Sequence, residues 1–553
     1  MTSLDDAGDE HRKASQDRER HIRAILESDA KSKVVVAGPG TGKTFLFKKI
    51  LYGKPNSLTL TFVNSLVEDL SLELCQLSDV RTLHGYARSI LGRDVKVFPK
   101  LSAVIKDDAK LLLTKEVEFD QLFHDREDDN ELITFYKCRK DYYDNYYGYS
   151  SLVYAAVKKL EQRRHRVPAY DQVLVDEFQD FNKLEVSLID LLAEKSPILL
   201  AGDDDQALYG FKGASPSHIR KRHNDPETHY QPFCLPYCSR CTQVIVDSVN
   251  DIIAEASKQE KLRGRIAKPF LYFSDGNKDQ VSASNPKIAA SSVHARQLPW
   301  FIEKCIHEAA AKEKSTFNVL VIAPTKRQCQ GLLISLRNRG FKYIESHEQT
   351  ESKQVDLIDG LRVLLEDGRS NLGWRVVAKH LLPSTEFQGL LERTAGDAPP
   401  RFEKLLCAAI KGSVRSMIKT LRAIQKKQAV EEHQLDGLLE KMGVDTLTMK
   451  TDFLSSQVAP SSYRKGNPAL RKIPIKITTI QSSKGLTADY VFFTHFDDKY
   501  LIKDSKHISD EEICNLLVAM TRARTKVFLI STSKTEQPTF LSWIKPCRVE
   551  MLS

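Results

Sequence analysis

The amino-acid sequence predicts an α/β fold made of two parallel-sheet domains, each interrupted by a helical insertion. Three observations lead to this prediction. The 553 residues, 41% of them hydrophobic, are enough for more than one core. Eight short apolar runs alternate with helical patterns, which is typical of strands buried on both faces of a parallel sheet. Two long stretches that are helical in pattern lie between these runs, which indicates insertions.

The apolar runs fall into two groups along the chain. Four lie before residue 205, at 33–38, 57–62, 172–177 and 197–203, and four follow residue 315, at 317–324, 475–480, 489–496 and 526–532. We therefore predict a first core of residues 1–89 and 168–234, with an insertion at 90–167. The second core comprises residues 235–348 and 470–553, with an insertion at 349–469. The first twenty residues are densely charged without apolar periodicity, which predicts partial disorder.

The bulk composition narrows the class of protein. The net charge of +9 suits an anionic partner, although a mixed solvated surface explains it equally well. Most of the ten cysteines are scattered, as is typical of a reducing compartment. The amino terminus lacks the apolar segment of a signal peptide, and no run of about 18 apolar residues predicts a membrane span. We expect a cytoplasmic protein.

A glycine-rich stretch, AGPGTGKT, follows the first apolar run and precedes the helical pattern FLFKKI. This order of strand, loop and helix is that of a phosphate-binding P-loop. Its backbone N–H groups point at phosphates, its lysine neutralises the β- and γ-phosphates, and its threonine hydroxyl binds Mg²⁺. The predicted nucleotide-binding residues are Ala37, Gly38, Pro39, Gly40, Thr41, Gly42, Lys43 and Thr44.

Two acids end the run QVLVDE. We predict that Asp176 holds Mg²⁺, directly or through water, and that Glu177 is the general base that activates the attacking water. The alternative is a pair of acids in a solvated loop, but such a pair does not usually end a buried strand. Gln206 follows a later strand and is suited to sense the γ-phosphate.

An aromatic segment lies directly after this glutamine. Tyr209, Phe211 and Lys212 bring two aromatic rings and a cation together. Rings that stack on bases, beside a cation for the phosphates, are typical of single-strand binding. Core packing is the alternative for the rings alone.

Together these residues resemble the ordered motifs of the UvrD/Rep family of superfamily 1A helicases, nearly end to end. The similar stretches are AGPGTGKT (37–44), TFVN (61–64), TLHG (82–85), DEFQD (176–180), GDDDQALYGFKGA (202–214), LPYCSRCT (235–242), TTIQSSKGL (478–486) and LLVAMTRA (516–523). The resemblance implies two RecA-like cores with ATP between them, single-stranded DNA across their top, and movement from 3′ to 5′.

The resemblance also implies roles for further residues. Arg240 and Arg522 are expected to reach the γ-phosphate from the second core, where they stabilise charge that develops on the phosphoryl oxygens. The DNA-binding positions that it implies are Thr61, Phe62, Asn64, Thr82, His84, Tyr209, Phe211 and Lys212. Phe211 stands where the family usually has tryptophan.

Several positions depart from the family pattern, mainly where the family recognises base and ribose. Ser239 stands in place of the adenine-stacking tyrosine, and His21 aligns with the glutamine that reads the adenine edge. In the fifth motif, Thr487 replaces a ribose-binding glutamate and Gln481 replaces a histidine. Because the phosphate and metal residues are all present, we predict intact hydrolysis with relaxed adenine selectivity.

Two functions fit this pattern. The first is an NTP-driven DNA translocase or helicase; since both insertions look shorter than in full-length family members, translocation is better supported than strand separation. The second is a DNA-stimulated regulatory NTPase that binds and activates a nuclease partner, because short UvrD-like proteins of two-gene antiphage systems such as Gabija are similar to this chain. A small-molecule P-loop kinase is disfavoured by the second arginine-bearing core. The sequence leaves the pathway and the partner open.

Three other stretches of the sequence each allow two interpretations. In the stretch 234–241, CLPYCSRC, the cysteines are predicted to fill a strand-to-helix turn rather than to bind zinc with His229. Arg415, Lys419, Arg422 and Lys426 form a basic stripe that is either a phosphate- or partner-docking surface or a solvated helix face. The tyrosines of 142–154 are predicted to pack against the first core rather than to stack on bases.

Overall fold

The structure of the protein is a computed structural model that describes residues 4–62, 64–92, 94–312, 316–346, 354–396, 399–425, 472–504, 507–533 and 536–552. The chain forms two compact units. The first contains residues 1–86, 160–349 and 461–553, and the second contains residues 87–159 and 350–460. Both sheets, with the predicted P-loop, belong to the first unit.

The first sheet has six parallel strands in the order β3-β2-β4-β5-β1-β6. They are β1 Ser32–Ala37, β2 Ser57–Thr61, β3 Asp79–Thr82, β4 Gln172–Val175, β5 Ile198–Gly202 and β6 Gln231–Leu235. Four of them coincide with the apolar runs before residue 205. The pattern does not predict β3 and β6, because these two edge strands have the mixed sequences DVRT and QPFCL.

The second sheet has seven parallel strands in the order β11-β12-β10-β13-β14-β9-β15. A two-stranded ribbon precedes it in the chain, made of β7 Tyr237–Cys238 and β8 Leu271–Tyr272. The seven strands are β9 Ile288–Ser292, β10 Val319–Ala323, β11 Ile344–Ser346, β12 Ile475–Thr479, β13 Ala488–Thr494, β14 Ala523–Ser531 and β15 Val549–Leu552. The two sheets of parallel strands confirm the predicted fold class.

Helices surround these strands, and buried aliphatic side chains fill the space between the layers. The helices lie at Leu4–Glu27, Lys43–Leu51, Asn64–Glu73, Leu83–Leu91, Lys183–Lys195, Ser217–Asn224, Gln243–Lys258, Gly276–Ser284, Leu298–Lys312, Lys326–Asn338, Asp498–Leu501, Asp510–Met520 and Thr539–Ser542. No helix in the described parts of the chain combines the length and apolar character needed to span a membrane.

The predicted disorder of the first twenty residues is wrong, since a helix spans Leu4–Glu27. Charge pairs one turn apart, such as Arg23 with Glu19 at 3.4 Å, support it locally. Contacts with the segment after β8 fix it in place: the Arg18 guanidinium lies 4.6 Å from the centre of the Phe273 ring. Ile22 and Ile25, which follow the first twenty residues, are buried in the core, so the apolar part of this helix lies outside the charged stretch.

The second unit is helical in its described part. Its helices lie at Leu101–Leu113, Phe119–His124, Glu131–Cys138, Leu357–Glu366, Asn371–Leu381, Ser384–Glu392, Phe402–Leu405 and Ala408–Gln425, and the helix Tyr149–Gln162 leads back to the first unit. The tyrosines at 142, 143, 146 and 154 are buried, which favours packing over base stacking, although the predicted packing partner was the first core. The contacts that define their environment come from their own unit, where the Tyr143 hydroxyl donates to Asp108 at 2.9 Å.

The basic stripe of the helix Ala408–Gln425 has intramolecular partners. The Arg415 guanidinium lies 2.5 Å from Glu403, and Arg422 donates to the carbonyl of Leu365 at 3.1 Å. Lys426 lies outside the described residues. Both side chains are exposed and paired within the chain, which favours a solvated helix face over a docking surface for these two of the four cations.

A buried ion pair joins the two insertions within the second unit. Arg375 donates to Asp108 Oδ1 from Nε at 2.9 Å and from Nη2 at 2.5 Å, and both side chains are fully buried. The other carboxylate oxygen accepts from Tyr143, and Arg139 lies 3.6 Å away. A fully desolvated carboxylate is tolerated only when cations and donors surround it.

Replacing Arg375 by Met leaves Asp108 buried without its closest cation. We expect the free energy of unfolding of this unit to fall by about 3–5 kcal/mol, measured by thermal unfolding and limited proteolysis. Lys106→Met, which breaks an exposed pair with Glu118, is the control and costs less than about 1 kcal/mol. Wild-type stability of the Arg375→Met protein would contradict this account of the unit.

Candidate nucleotide-binding site

The P-loop connects β1 to the helix Lys43–Leu51 at the carboxyl edge of the first sheet. Gly40 and Gly42 adopt positive φ angles of 71° and 96°, which glycine accepts without steric cost. Gly42 is the residue before the helix, so the loop leads directly to a helix amino terminus, where backbone N–H groups and the helix dipole favour phosphate. The Thr41 hydroxyl donates to the carbonyl of Gly38 at 2.9 Å and closes the loop.

Lys43 faces the two acids that follow β4. Its ammonium lies 2.6 Å from Glu177 Oε1 and 3.4 Å from Asp176 Oδ1. Burial lowers the pKa of Lys43, but the two carboxylates outweigh burial and raise it above its usual range. Burial alone would raise the pKa of Glu177. The ammonium groups of Lys43 and Lys484 outweigh burial and hold this pKa well below its usual range. Glu177 is therefore ionised, as a general base must be before it accepts a proton.

Glu177 is held in one orientation by its backbone and by Gln179. Its φ angle of 53° is in the left-handed region, which costs a non-glycine residue about 1–3 kcal/mol and is typical of functional sites. Gln179 Nε2 donates to Glu177 Oε2 at 2.7 Å, and Gln179 Oε1 accepts from the Asp203 backbone at 3.0 Å. The glutamine thus links the ends of β4 and β5.

The residues predicted for Mg²⁺ fit that ion. Asp176 Oδ1 is buried and, among the described residues, has no hydrogen-bond partner, although Lys43 lies nearby. Burial raises the pKa of Asp176, so this carboxylate gains from a cation beside it. A carboxylate oxygen and the Thr44 hydroxyl at the start of the same helix as Lys43 are ligands of the hard type that Mg²⁺ prefers.

The second core contributes Arg522 to this edge of the first sheet. Arg522 Nη2 donates to Gln206 Oε1 at 3.0 Å, and Gln206 Nε2 donates to Asp203 at 2.8 Å. Burial and the nearby charge of Arg240 lower the pKa of Arg522 to about 9. A desolvated cation of this kind is stabilised when an anion approaches.

The turn that contains Ser239 and Arg240 contacts the P-loop directly. The Ser239 backbone N–H and hydroxyl both donate to the carbonyl of Gly40, at 2.9 and 3.0 Å. A Cβ on Gly40 would lie 2.3 Å from the Cβ of Arg240, so only glycine fits there. Arg240 itself donates to the carbonyl of Thr521 at 3.3 Å, which places both predicted arginines next to each other.

In the helix Leu4–Glu27, Arg18 rather than His21 lies next to the P-loop. Its ring is 3.7 Å from Asp17, whereas the Arg18 guanidinium lies 3.0 Å from the position that a Cβ on Gly42 would take. Sequence alignment of this helix missed Arg18, because neither its charge nor its spacing distinguishes it from neighbouring basic residues.

Three of the eight predicted DNA-binding residues form one cluster. The rings of Phe62 and Tyr209 are 4.9 Å apart, and the Lys212 ammonium lies 5.3 and 5.2 Å from their centres. Tyr209 is 8% exposed, so its ring packs in the cluster and does not form an open stacking face. Lys212 is exposed.

The other five predicted DNA-binding residues differ from one another in burial and in contacts. Thr61 and Thr82 are paired at the ends of β2 and β3, but Thr61 is fully buried. His84 lies 4.0 Å from Glu185, whose pKa burial raises to about 7. Asn64 begins a helix and Phe211 lies in a single helical turn, and the side chains of both are outside the described residues.

Burial of the cysteine stretch favours its predicted role as small apolar packing. Cys238 and Cys241 are fully buried, and the Cys241 N–H donates to Cys238 Sγ at 3.4 Å. Among the described residues, the only close group of three possible ligands is Asp203, Asp204 and Asp205, and its centre is taken by an ammonium. Lys268 Nζ lies 2.8, 2.5 and 2.9 Å from these three acids.

Comparison with known proteins gives two family matches, the first of which begins after the P-loop. The family described as "UvrD/REP helicase N-terminal domain" matches residues 98–227, and "UvrD-like helicase C-terminal domain" matches residues 412–534. DNA helicase II of Haemophilus influenzae is 32% identical over 142 residues, which are 24% of this chain and 19% of that protein.

Two further relatives align over longer stretches. A probable DNA helicase II homolog of Mycoplasma capricolum is 23% identical over 347 residues, covering 52% of this chain and 47% of the relative. ATP-dependent DNA helicase Rep of Buchnera aphidicola is 24% identical over 242 residues, covering 34% and 37%. The matches to these three relatives span from about a fifth to about half of each relative's length. On the two family matches, the parallel sheets and these relatives, the chain is similar to UvrD/Rep-like helicases of superfamily 1A over part of its length.

Proposed function

We propose that the protein hydrolyses NTPs and uses the energy to move along single-stranded DNA in the 3′-to-5′ direction, in the cytoplasm. The observation that carries this proposal is the contact of Arg522, from the second core, with Gln206 at the P-loop edge of the first. Residues from two sheets meet at one nucleotide site, so a change in the nucleotide alters the contact between the cores. That is the physical requirement for coupling hydrolysis to movement.

Nucleotide binding begins at the P-loop. The N–H groups before the helix Lys43–Leu51 take the phosphates, and Lys43 exchanges its bonds with Glu177 and Asp176 for the β- and γ-phosphate oxygens. Thr44 and Asp176 would hold Mg²⁺, which, when bound, neutralises charge on the phosphate oxygens. Gln179 keeps Glu177 in place during this exchange.

Hydrolysis then needs one proton acceptor and charge stabilisation. Glu177 accepts a proton from water as the water oxygen bonds to the γ-phosphorus, and the bond from that phosphorus to the β-γ bridging oxygen breaks. Arg240 and Arg522 stabilise the negative charge on the transferred group. Because both arginines belong to the second core, loss of the γ-phosphate weakens the attraction between the cores.

DNA is proposed to contact the cluster of Phe62, Tyr209 and Lys212, with Thr61, Asn64, Thr82, His84 and Phe211 as further candidates. The exposed Lys212 suits a phosphate, and Phe62, which is half-buried, offers an aromatic face to a base. Tyr209 donates through its hydroxyl to the carbonyl of Gln481 in the second core at 3.2 Å. This contact supports a physical link between bound DNA and the nucleotide site.

Lys43→Ala is expected to reduce NTP turnover stimulated by single-stranded DNA by at least about 100-fold, since the variant loses the ammonium that is proposed to bind the β- and γ-phosphates. The measurement is phosphate release with and without an oligonucleotide. Lys48→Ala is the matched control, because Lys48 lies on the same helix, pairs with Glu73 and does not face the acids of the site. Full turnover of Lys43→Ala would contradict the proposed site.

Relaxed selectivity for the base is a second expected property. Ser239 offers no aromatic face and its hydroxyl is already bonded to Gly40, so ATP, GTP, CTP and UTP should have kcat/KM values within about tenfold of one another. The Ser239→Tyr protein should favour ATP more than wild type does, because the backbone N–H bond to Gly40 remains and a ring is added. A strong preference of the wild-type protein for ATP alone would overturn this expectation.

A further inference from the structure

Arg18 is a half-buried arginine beside the P-loop, and the mechanism above does not use it. It lies on the helix Leu4–Glu27. Its Nη2 is 3.0 Å from the position that a Cβ on Gly42 would take, so the guanidinium lies directly against the last glycine of the loop. Arg18 is therefore a cation next to the backbone N–H groups that are predicted to bind phosphate.

Aromatic residues of the second core hold this guanidinium in place. Its Cζ lies over the Phe273 ring, 4.6 Å from the ring centre. The Tyr237 ring packs edge-on against Phe273, and the Tyr237 hydroxyl donates at 2.9 Å to Asp17, the residue before Arg18. Because cation–π attraction does not use the N–H groups of a guanidinium as hydrogen bonds do, the stacked guanidinium can still donate to a ligand.

The charge of Arg18 pairs with no carboxylate in the part of the chain that the structure describes. The adjacent acid, Asp17, lies 2.5 Å from Arg20 instead. Arg18 Nε is buried and has no hydrogen-bond partner among the described residues. Burial lowers the pKa of Arg18, although Cys238 opposes this. A partly desolvated cation without an anion is stabilised when an anion binds beside it.

We propose that Arg18 binds the phosphates of the nucleotide through its guanidinium and does not read the base. The inference rests on the proposed function and deepens it, because it names the part of the substrate that this residue recognises. Gly42, against which Arg18 lies, directly precedes Lys43 in the phosphate-binding loop. Guanidinium N–H groups form strong charge-assisted bonds with phosphate oxygens. Binding through the phosphates, which all NTPs share, agrees with the relaxed base selectivity expected from Ser239.

A purely structural role of Arg18 predicts different behaviour. If the guanidinium only fastens the helix Leu4–Glu27 to Phe273, its removal lowers the free energy of unfolding and leaves the affinity for phosphates unchanged. If it binds phosphate, its removal weakens every ligand that carries the phosphates. Inorganic tripolyphosphate, which has neither base nor ribose, is therefore the probe that separates the two roles.

The experiment compares wild type with Arg18→Met, Arg18→Gln and Arg18→Lys. Arg23→Met is the matched control, because Arg23 lies on the same helix in an exposed pair with Glu19. Arg18→Gln is a second uncharged variant, which keeps the test available if Arg18→Met does not fold. Isothermal titration with tripolyphosphate and Mg²⁺ gives the affinity without DNA or hydrolysis. Phosphate release with saturating oligonucleotide gives KM and kcat for ATP, GTP, CTP and UTP, and thermal unfolding gives the stability of each protein.

We expect the two uncharged variants to bind tripolyphosphate at least about tenfold more weakly than wild type, and the KM of all four NTPs to rise by a similar factor. Their kcat should stay within about threefold of wild type, because a contact made equally in the ground state and the transition state changes KM alone. Arg18→Lys retains the charge, so its affinity should lie between that of wild type and that of Arg18→Met. Arg23→Met should bind tripolyphosphate as wild type does.

Three results would overturn the inference. Wild-type affinity for tripolyphosphate in the uncharged variants, with or without a loss of stability, would leave Arg18 a structural role. A rise in KM for one NTP alone would mean that Arg18 reads the base. A rise in KM for all four NTPs with unchanged tripolyphosphate affinity would place the contact at the ribose.

Failure of the proposed function can be recognised separately. If wild type binds tripolyphosphate but shows no oligonucleotide-stimulated turnover, the proposed function fails, and the titration still decides the role of Arg18. If wild type binds neither tripolyphosphate nor any NTP, the nucleotide site itself is rejected and the inference falls with it.

Discussion

Buried carboxylates that need cations from distant parts of the chain determine how this protein is organised. Asp176, Glu177 and Asp180 are at most 8% exposed, and a desolvated carboxylate is unstable unless a cation compensates for it. The cations come from the P-loop, through Lys43, and from the second core, through Lys484. The nucleotide site therefore forms only when segments far apart in sequence come together.

Buried carboxylates are also compensated by cations next to the nucleotide site and in the second unit. Asp203, Asp204 and Asp205 surround Lys268, which lies in the segment between the helix Gln243–Lys258 and β8. Because Gln206 follows these acids directly, the ammonium of Lys268 stabilises the segment that presents Gln206 to Arg522. In the helical unit, a fully buried aspartate faces a fully buried arginine. Removing one partner of such a buried pair is costly because it leaves the other charge uncompensated.

The sequence predicted the fold class well, because buried parallel strands are continuous apolar runs, and all eight runs are strands. It did not predict β9, whose sequence IAASS consists mostly of small residues although the strand lies inside the sheet. The edge strands β3, β6, β11 and β15 were not predicted for a different reason. An edge strand pairs with a neighbour on one side only and therefore tolerates polar residues.

Some residues of the site could be predicted from the sequence and others could not, depending on whether their partners are close in the chain. The residues predicted to bind phosphate and metal follow one another in the chain, so the spacing of Lys43 and Thr44 is enough to predict their chemistry. The roles of Lys484 and Lys268 depend on which carboxylates they meet in space, and no local pattern encodes those partners. The buried state of Tyr209 likewise depends on Phe62 and the carbonyl of Gln481, which lie in other segments. Its sequence context indicated base stacking, with core packing as the alternative.

Directional movement is the most direct test that the two cores work as a motor. Streptavidin is bound to the 5′ or the 3′ end of a biotinylated oligonucleotide, and its NTP-dependent displacement by the purified protein is followed in time. Movement from 3′ to 5′ predicts faster displacement from the 5′ end and no acceleration at the 3′ end. Oligonucleotide-stimulated hydrolysis without displacement from either end would contradict the account and favour a regulatory NTPase that acts through a nuclease partner.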